Sequence, residues 1–208
     1  MSPRLVKRRV REPDVKRGKL LRAAFQEMHR HGFQGASLDA ILATAGVTKG
    51  AFYHHFPSKT ELGYAVVDEV VAAAVLDDMI RPLDLRPSDP LTALQRALRR
   101  RAARETPASI ALGCPLNNLA QEMSPLDEGF RRRVDRAFER WTAAYAEALT
   151  RGRARGTVRR GVDAKAVAEF VVGSLEGAIG RAKNARSIEL LKSNVSILIR
   201  YLDTLRPG

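Results

Sequence analysis

The sequence predicts an all-α protein: an N-terminal three-helix helix-turn-helix domain joined by a long fourth helix to a C-terminal helical domain. Three observations predict it. Apolar residues recur at three- and four-residue spacing along most of the 208 residues. Glycines and prolines punctuate those periodic runs at turn-like intervals. The composition is rich in Ala, Leu, Arg and Val, poor in aromatics, and free of internal repeats or low-complexity blocks.

The first fourteen residues, "MSPRLVKRRVREPD", are cationic, and Pro3 and Pro13 oppose helix, so residues 1–14 read as a flexible basic arm. A helix-turn-helix domain is expected over 15–61. In its first helix Leu20, Leu21, Ala24, Phe25 and Met28 share a face, and Gly32 is placed to close it in a left-handed cap. Ser37 caps a second helix with a stripe of Leu38, Ile41, Leu42 and Ala45, which Gly46 ends. Thr48 caps a third helix of barely two turns, because Pro57 forbids continuation much beyond Phe56. Ser58 and Glu61 have capping-box spacing and open a long fourth helix that Pro82 is expected to stop near Arg81.

Residues 62–208 form the second expected domain. After the linker "RPLDLRPS", Asp89 caps a fifth helix with Pro90 at its first position, running to about Glu105. The sixth, "SIALGCPLNNLAQEM", is interrupted by Gly113 and Pro115. Ser124 and Pro125 are expected to open a long seventh helix with the inward stripe Phe130, Val134, Phe138, Trp141 and Tyr145, leaving Arg131, Arg132, Arg136 and Arg140 mostly outside it. An eighth puts Phe170, Val171, Leu175, Ala178 and Ile179 on a face with Gly173, Gly177 and Gly180. The ninth repeats Ile188, Leu191, Val195, Leu198 and Leu202 as a seam. That pattern suits either an oligomer interface or a core, and interface is the preferred reading.

A formal net charge of +13 and a sequence pI near 10.7 point to a polyanionic partner, nucleic acid or an anionic membrane. No apolar run is long enough for a membrane span, no signal peptide is recognisable, and the single Cys114 forms no intramolecular disulfide. A cytoplasmic protein is expected, with no membrane partner.

The segment "GVTKGAFYHHFPSKTEL", Gly46 to Leu62, carries the chemistry. Two helices joined by a short glycine-containing turn are the arrangement that places the second helix in a DNA major groove. Thr48 and Lys49 add a hydroxyl and a cation at the start of that helix, where phosphate is favoured. Gly50 and Ala51 allow close approach to base edges. Phe52 and Phe56 point inward, leaving Tyr53 and His54 outward, and Lys59 reads as a phosphate contact. His54 and His55 are adjacent and lack a third ligand at helical spacing, which argues against metal. No nucleophile elbow, P-loop or dinucleotide fingerprint suggests an enzyme.

The stretch "SLDAILATAGVTKGAFYHHFPSKTEL", Ser37 to Leu62, resembles the DNA-binding signature of the TetR family of bacterial transcriptional regulators. The resemblance implies an all-α homodimer with an N-terminal DNA-binding domain and a C-terminal ligand-binding and dimerisation domain, bound to a double-stranded, palindromic operator, and repression relieved by a small-molecule inducer, with no other cofactor. It implicates Ser37, Thr48, Tyr53 and Lys59 in phosphate contacts, and Lys49, Gly50, Ala51 and His54 at or near the bases. The terminal pair of helices would form the dimer.

Candidate effector contacts are Cys114, Asn117, Asn118 and Gln121 from the sixth helix, and Trp141 and Tyr145 from the seventh. Cys114 reads either as a sensor thiol or, preferably, as a buried structural residue. Trp141 and Tyr145 read as core, pocket wall or both, and a mostly apolar or aromatic inducer is expected. The arm either enters a minor groove or stays a solvated tail. Two other classes are a constitutive DNA-packaging protein and a membrane-surface protein. The second would need exposed apolar faces that these helices are expected to bury.

Overall fold

The computed structural model describes residues 12–84 and 89–208 and contains only helices and connections among them. The chain divides at Val66 and Val67 into two compact units.

The first unit holds α1 (Glu12–Gly35), α2 (Leu38–Ala45), α3 (Lys49–His55) and α4 (Lys59–Val66). Residues 1–11 of the basic arm lie outside the described residues. Pro13 falls within the first described turn of α1, where its missing N–H would be unsatisfied in any case. Gly32 does not act as a simple left-handed cap: with φ 74 and ψ 170 it kinks α1, and one further turn follows to Gly35. The predicted caps form. Ser37 Oγ accepts from the Ala40 N–H at 3.3 Å, Thr48 Oγ1 from Ala51 at 3.3 Å, and Ser58 Oγ from Glu61 at 3.1 Å. Gly46 takes φ 62 and ψ 41, and its N–H and that of Val47 satisfy the carbonyls of Ala43 and Leu42. This left-handed turn makes the connection between α2 and α3 short, because only glycine enters that region without a Cβ penalty. Leu20, Ala24, Ile41, Phe52 and Leu62 form the core, while Leu38 and Phe25 are only half-buried.

The second unit opens with a π-helical stretch, Val67–Val71, followed by α5 (Ala72–Val75), a second π-helical stretch, Leu76–Ile80, and α6 (Arg81–Asp84). Helix therefore runs through Pro82 instead of stopping before it. A helical proline lacks an N–H and its ring meets the carbonyl four residues earlier, here that of Asp78. The widened turn at Leu76–Ile80 takes that carbonyl out of α register, which is how the proline is accommodated. Residues 85–88 of the expected linker lie outside the described residues.

Then follow α7 (Pro90–Ala103), α8 (Pro107–Leu112), α9 (Pro115–Met123), α10 (Glu128–Ala154), α11 (Ala164–Ala185) and α12 (Ile188–Asp203). The expected sixth helix is two, broken at Gly113 (φ 74) and Cys114. Ser124 closes α9 rather than opening the next helix. Asp127 caps α10, its Oδ1 accepting from the Phe130 N–H at 2.9 Å. On α10 the arginines at 131, 132, 136 and 140 are exposed as expected, but Ala137 takes the core place predicted for Phe138, which is half-buried. Asp89 caps α7 and also receives Arg206 Nη1 at 2.8 Å, tying the chain's last turn to the start of α7.

Helix α10 packs on α7, α9 and α11, and α12 packs on α11 and α7. Leu191, Val195, Leu198 and Leu202, the seam of α12, are buried inside this arrangement. Within one chain the seam is core, and a different face of α11 and α12 remains uncovered.

Candidate nucleic-acid interface and effector site

In the first unit the cap at Thr48 and the left-handed Gly46 fix where α3 begins. The two phenylalanines fix which way it faces. Phe52 is fully buried and Phe56 is 4% exposed, with their ring centroids 6.1 Å apart and Arg17 stacked 5.2 Å from the centre of Phe56. Four residues apart, they orient the helix, and the remaining face goes to solvent. Lys49, Gly50, Tyr53 and His54 are exposed, Tyr53 by 50%, while Ala51 is half-buried. A Cβ on Gly50 would meet nothing within 4 Å, so packing does not require the glycine. Tyr53 stands edge-on to Phe52 at 4.9 Å, which restrains its ring while its hydroxyl end stays outside. Ser37 and Thr48, exposed, both have hydroxyls engaged in caps, yet a hydroxyl oxygen that accepts an N–H retains its own proton to donate.

Lys59 has a local role that its place in the first turn of α4 did not suggest. Its Nζ donates to the Gln34 carbonyl at 3.2 Å and lies 4.9 Å from the Phe33 ring centre, fastening α4 to the end of α1. Its presence at a helix N-terminus thus has a structural cause. His54 and His55 stack edge-on at 5.3 Å. Among the described residues no group of three metal-ligating side chains forms.

In the second unit the sequence-predicted residues separate. Asn118 serves the backbone: its Nδ2 donates to the Leu112 carbonyl at 2.8 Å and its Oδ1 accepts from Lys183 Nζ at 3.0 Å, bridging the α8–α9 break to α11. Asn117 is half-buried and Gln121 is exposed. Trp141 and Tyr145 are buried on α10 with their rings perpendicular and 6.1 Å apart. The Trp141 Nε1–H and the Tyr145 hydroxyl lie near each other but are poorly aligned for a hydrogen bond, and burial raises the Tyr145 pKa.

Cys114 is buried beside Glu176. Burial and then the Glu176 charge push its thiol up to about 12, so it stays protonated at neutral pH. A thiol held in that form is not primed as a nucleophile, which supports the structural reading. Glu176 is the residue that sequence reasoning missed. It is 6% exposed, burial raises its pKa, the Cys114 thiol donates to its carboxylate, and its Oε2 makes no further hydrogen bond. One signal was available: Glu176 stands four residues after Val172 and three before Ile179, inside the apolar stripe of α11.

On the outer side of α11 and α12, Phe170 and Ile197 are 53% and 56% exposed. Phe170 therefore departs from the inward face predicted for it, as do Gly173, Gly177 and Gly180, whose positions are all exposed. Phe170 packs edge-on against Tyr201 at 5.0 Å, and with Ser174, Ala178, Asn194 and Ile197 it lines a shallow groove of about 340 Å³. No helix among the described residues is long and apolar enough to cross a membrane.

An exposed second helix of a helix-turn-helix, joined in one chain to a second helical unit, is the arrangement of a DNA-binding transcriptional regulator. Comparison with known proteins makes this specific. The model of "Bacterial regulatory proteins, tetR family" matches residues 20–66, and that of "Tetracyclin repressor-like, C-terminal domain" matches residues 90–198, more than half of the chain. The chain belongs to the TetR family.

Among curated relatives, it is 32% identical to the transcriptional regulator AcuR of Cereibacter sphaeroides, over 79% of this chain and 74% of that protein. It is 29% identical to the transcriptional repressor DhaR of Mycobacterium sp. (strain GP1), over 88% of this chain and 90% of that one. Among solved structures, a TetR regulator from Chloroflexus aurantiacus superposes with a TM-score of 0.83 at 25% identity, covering 96% of this chain and all of that one (100%).

Proposed function

We propose that the protein is a dimeric repressor that places the α3 helices of two protomers in successive major grooves of a palindromic operator, about 34 Å apart, and leaves it when a small molecule binds the second unit. The observation that carries this reading is the division of α3 into a buried face, Phe52 and Phe56, and an exposed one, Lys49, Tyr53 and His54. In this reading Ser37, Thr48, Tyr53 and Lys59 hold phosphates, and Lys49, Gly50, Ala51 and His54 meet base edges. The relatives DhaR and NemR, each named a transcriptional repressor, support repression as the sense of control. The expected compartment is the cytoplasm, where operator DNA is found.

The dimer would use the last two helices, through the outer face bearing Phe170, Ile197 and the three glycines, because the α12 seam is already occupied. Effector contacts are assigned to Trp141 and Tyr145, with Cys114 and Asn117 beside them. Asn118 and Gln121 are the weaker members of the original set. A few kcal/mol of differential affinity between two conformers suffices for release.

The test is selection of bound duplexes from a random pool at near-physiological salt. A palindromic winner bound at least about a thousandfold more tightly than a scrambled duplex is the expected result. With that operator, Lys49→Ala and Tyr53→Ala should each weaken binding by about 1–3 kcal/mol while leaving the unfolding temperature nearly unchanged, since both side chains are exposed. Enrichment of no sequence, with affinity collapsing steeply in salt, would make the chain a nonspecific DNA binder. Unchanged affinity in both variants would remove α3 from the interface.

A further inference from the structure

Helices α7 and α12 lie antiparallel in the second unit. Gln95 Nε2 donates to the Ile199 carbonyl at 3.2 Å and to Asp203 Oδ1 at 2.8 Å, while Arg206 reaches Asp89 and Thr92 near the start of α7. Beyond Gln95, a surface groove of about 490 Å³ runs between the two helices. That volume lies within the range of small-molecule sites, roughly 300–1,000 Å³. None of its lining belongs to α3 or to the effector contacts assigned above.

The floor and the rim of this groove differ in kind. Ala102, Val195 and Ile199 form an apolar floor, each 9% exposed or less. The rim carries three exposed cations, Arg99 from α7 and Lys192 and Arg200 from α12. The lining extends along α12 from Lys192 to Asp203, about 16 Å of helix. Such a length suits an extended chain better than a compact ring.

The one acid of the lining is already satisfied. Asp203 accepts from Gln95 and from Arg206 Nε at 3.2 Å, and the Arg99 charge acts on it as well. Lys192 acts on Glu189 one turn earlier, whose carboxylate accepts from the Ser187 hydroxyl at 3.2 Å. Arg200 Nη1 donates to Ser196 Oγ at 3.3 Å, a neutral partner in the same groove. Among the described residues none of these three cations closes an ion pair. The helix dipole accounts for Arg200 in the last turn of α12, but not for Lys192 in its second turn, nor for Arg99, which precedes the last turn of α7. The groove is therefore apolar beneath, cationic at its edge and short of an anion.

We propose that the α7–α12 groove is a second small-molecule site and that it takes a linear amphipathic anion, its alkyl chain laid on Ala102, Val195 and Ile199 and its carboxylate held among Arg99, Lys192 and Arg200. Exposed cations hold an anion weakly by themselves, so the floor supplies the affinity and the rim selects the sign of the head group. Ser196 in the groove and Ile197 on the outer face are successive residues, about 100° apart around α12. The groove is thus turned away from the surface assigned above to the dimer, and the two can be occupied together. The site depends on neither the operator nor the inducer reading.

The full-length protein is titrated in a calorimeter with decanoate, decyltrimethylammonium and acetate, each kept below micelle-forming concentration. The second has the same chain with the opposite charge, and the third has the head group without the chain. Saturable binding of decanoate, binding of the ammonium weaker by at least about tenfold, and no saturable heat from acetate are expected. Two variants locate the site. Arg99→Gln combined with Lys192→Gln removes two of the cations, and Ala103→Phe, at an exposed position of the lining, fills the groove without changing its charge. Each should weaken decanoate by at least about tenfold while leaving the unfolding temperature near that of the natural protein, since all three positions are exposed. Decanoate bound equally well by both variants lies elsewhere, and absence of decanoate binding or equal affinity for the ammonium makes the groove an ordinary solvated surface. Any of these results overturns the proposal. Operator binding is measured separately: its absence would fail the regulator reading and leave this site standing.

Discussion

The two units solve opposite problems with their polar groups. In the first, the functional side chains on α3 are exposed apart from the half-buried Ala51, and their placement follows from neighbours within a dozen residues: Thr48 caps, Gly46 turns, Phe52 and Phe56 anchor. In the second, Trp141, Tyr145, Cys114 and Glu176 are buried, and they are contributed by α10, the α8–α9 break and α11. The difference teaches that a surface for a large, rigid partner can be built on local rules that also stabilise the fold. A site that must enclose a small guest is built against those rules, at a cost to the unliganded chain.

The largest expected effect tests the anchoring of the first unit. Phe52 is fully buried, and truncation of such a side chain costs about 3–5 kcal/mol. Phe52→Ala should therefore unfold the first unit or abolish operator binding, while the second unit keeps its far-ultraviolet signal and thermal transition. Loss of both transitions together would show that the two units are not independently stable.

The next effect has the opposite sign. Burial raises the Glu176 pKa above its ordinary 4.5, so the folded state holds the proton more tightly than the unfolded one. The stability linked to this group is fully present below pH 4.5 and is lost as pH rises through the raised folded value. Relative to Glu176→Gln, the natural protein should lose about 1–3 kcal/mol across that range, measured as the difference between their denaturant unfolding curves. Parallel pH profiles would mean that Glu176 finds a partner in solution.

Asp89 provides the internal control, a carboxylate of the same unit whose contacts are satisfied. Burial acts to raise its pKa, but the bonds from Thr92 and Arg206 prevail and hold it below 3.8. Its contribution is present above pH 3.8 and is lost as pH falls through the depressed folded value, the reverse of Glu176. Asp89→Ala should cost about 1–2 kcal/mol at neutral pH, seen as a lower unfolding midpoint that converges with the natural protein's in acid.

The same contrast explains what the sequence disclosed. The α-helical class, the caps at Ser37, Thr48, Ser58 and Asp89, and the outward set on α3 were legible because each depends on residues within one or two turns. The continuation through Pro82 was not, because π-helical turns have no compositional signature. Nor was the Lys59 bond to the Gln34 carbonyl, which spans 25 residues. Glu176 was overlooked because an acid among apolar neighbours reads as exposed unless its helical phase is checked. Phe170 was misplaced for the converse reason: an aromatic ring was read as core where the packing of α11 leaves it outside.

The smallest effects come from a pair of glycines, one in each unit, and their signs carry the information. Gly46 holds φ 62, and a Cβ there would meet no atom within 4 Å, so the cost of Gly46→Ala is purely conformational, about 1 kcal/mol of destabilisation. Gly173 sits in the interior of α11 with ordinary helical geometry and equally open space around it. Nothing in its own chain calls for glycine there, and Gly173→Ala should stabilise the isolated protomer by up to about 1 kcal/mol through helix propensity. If α11 meets its counterpart closely through this face, the added methyl must instead weaken association. Unfolding at low protein concentration should then show a gain, while sedimentation shows a weaker dimer. A gain in stability with an unaltered dimer would place the contact on another face and leave the exposure of Phe170 without its proposed cause.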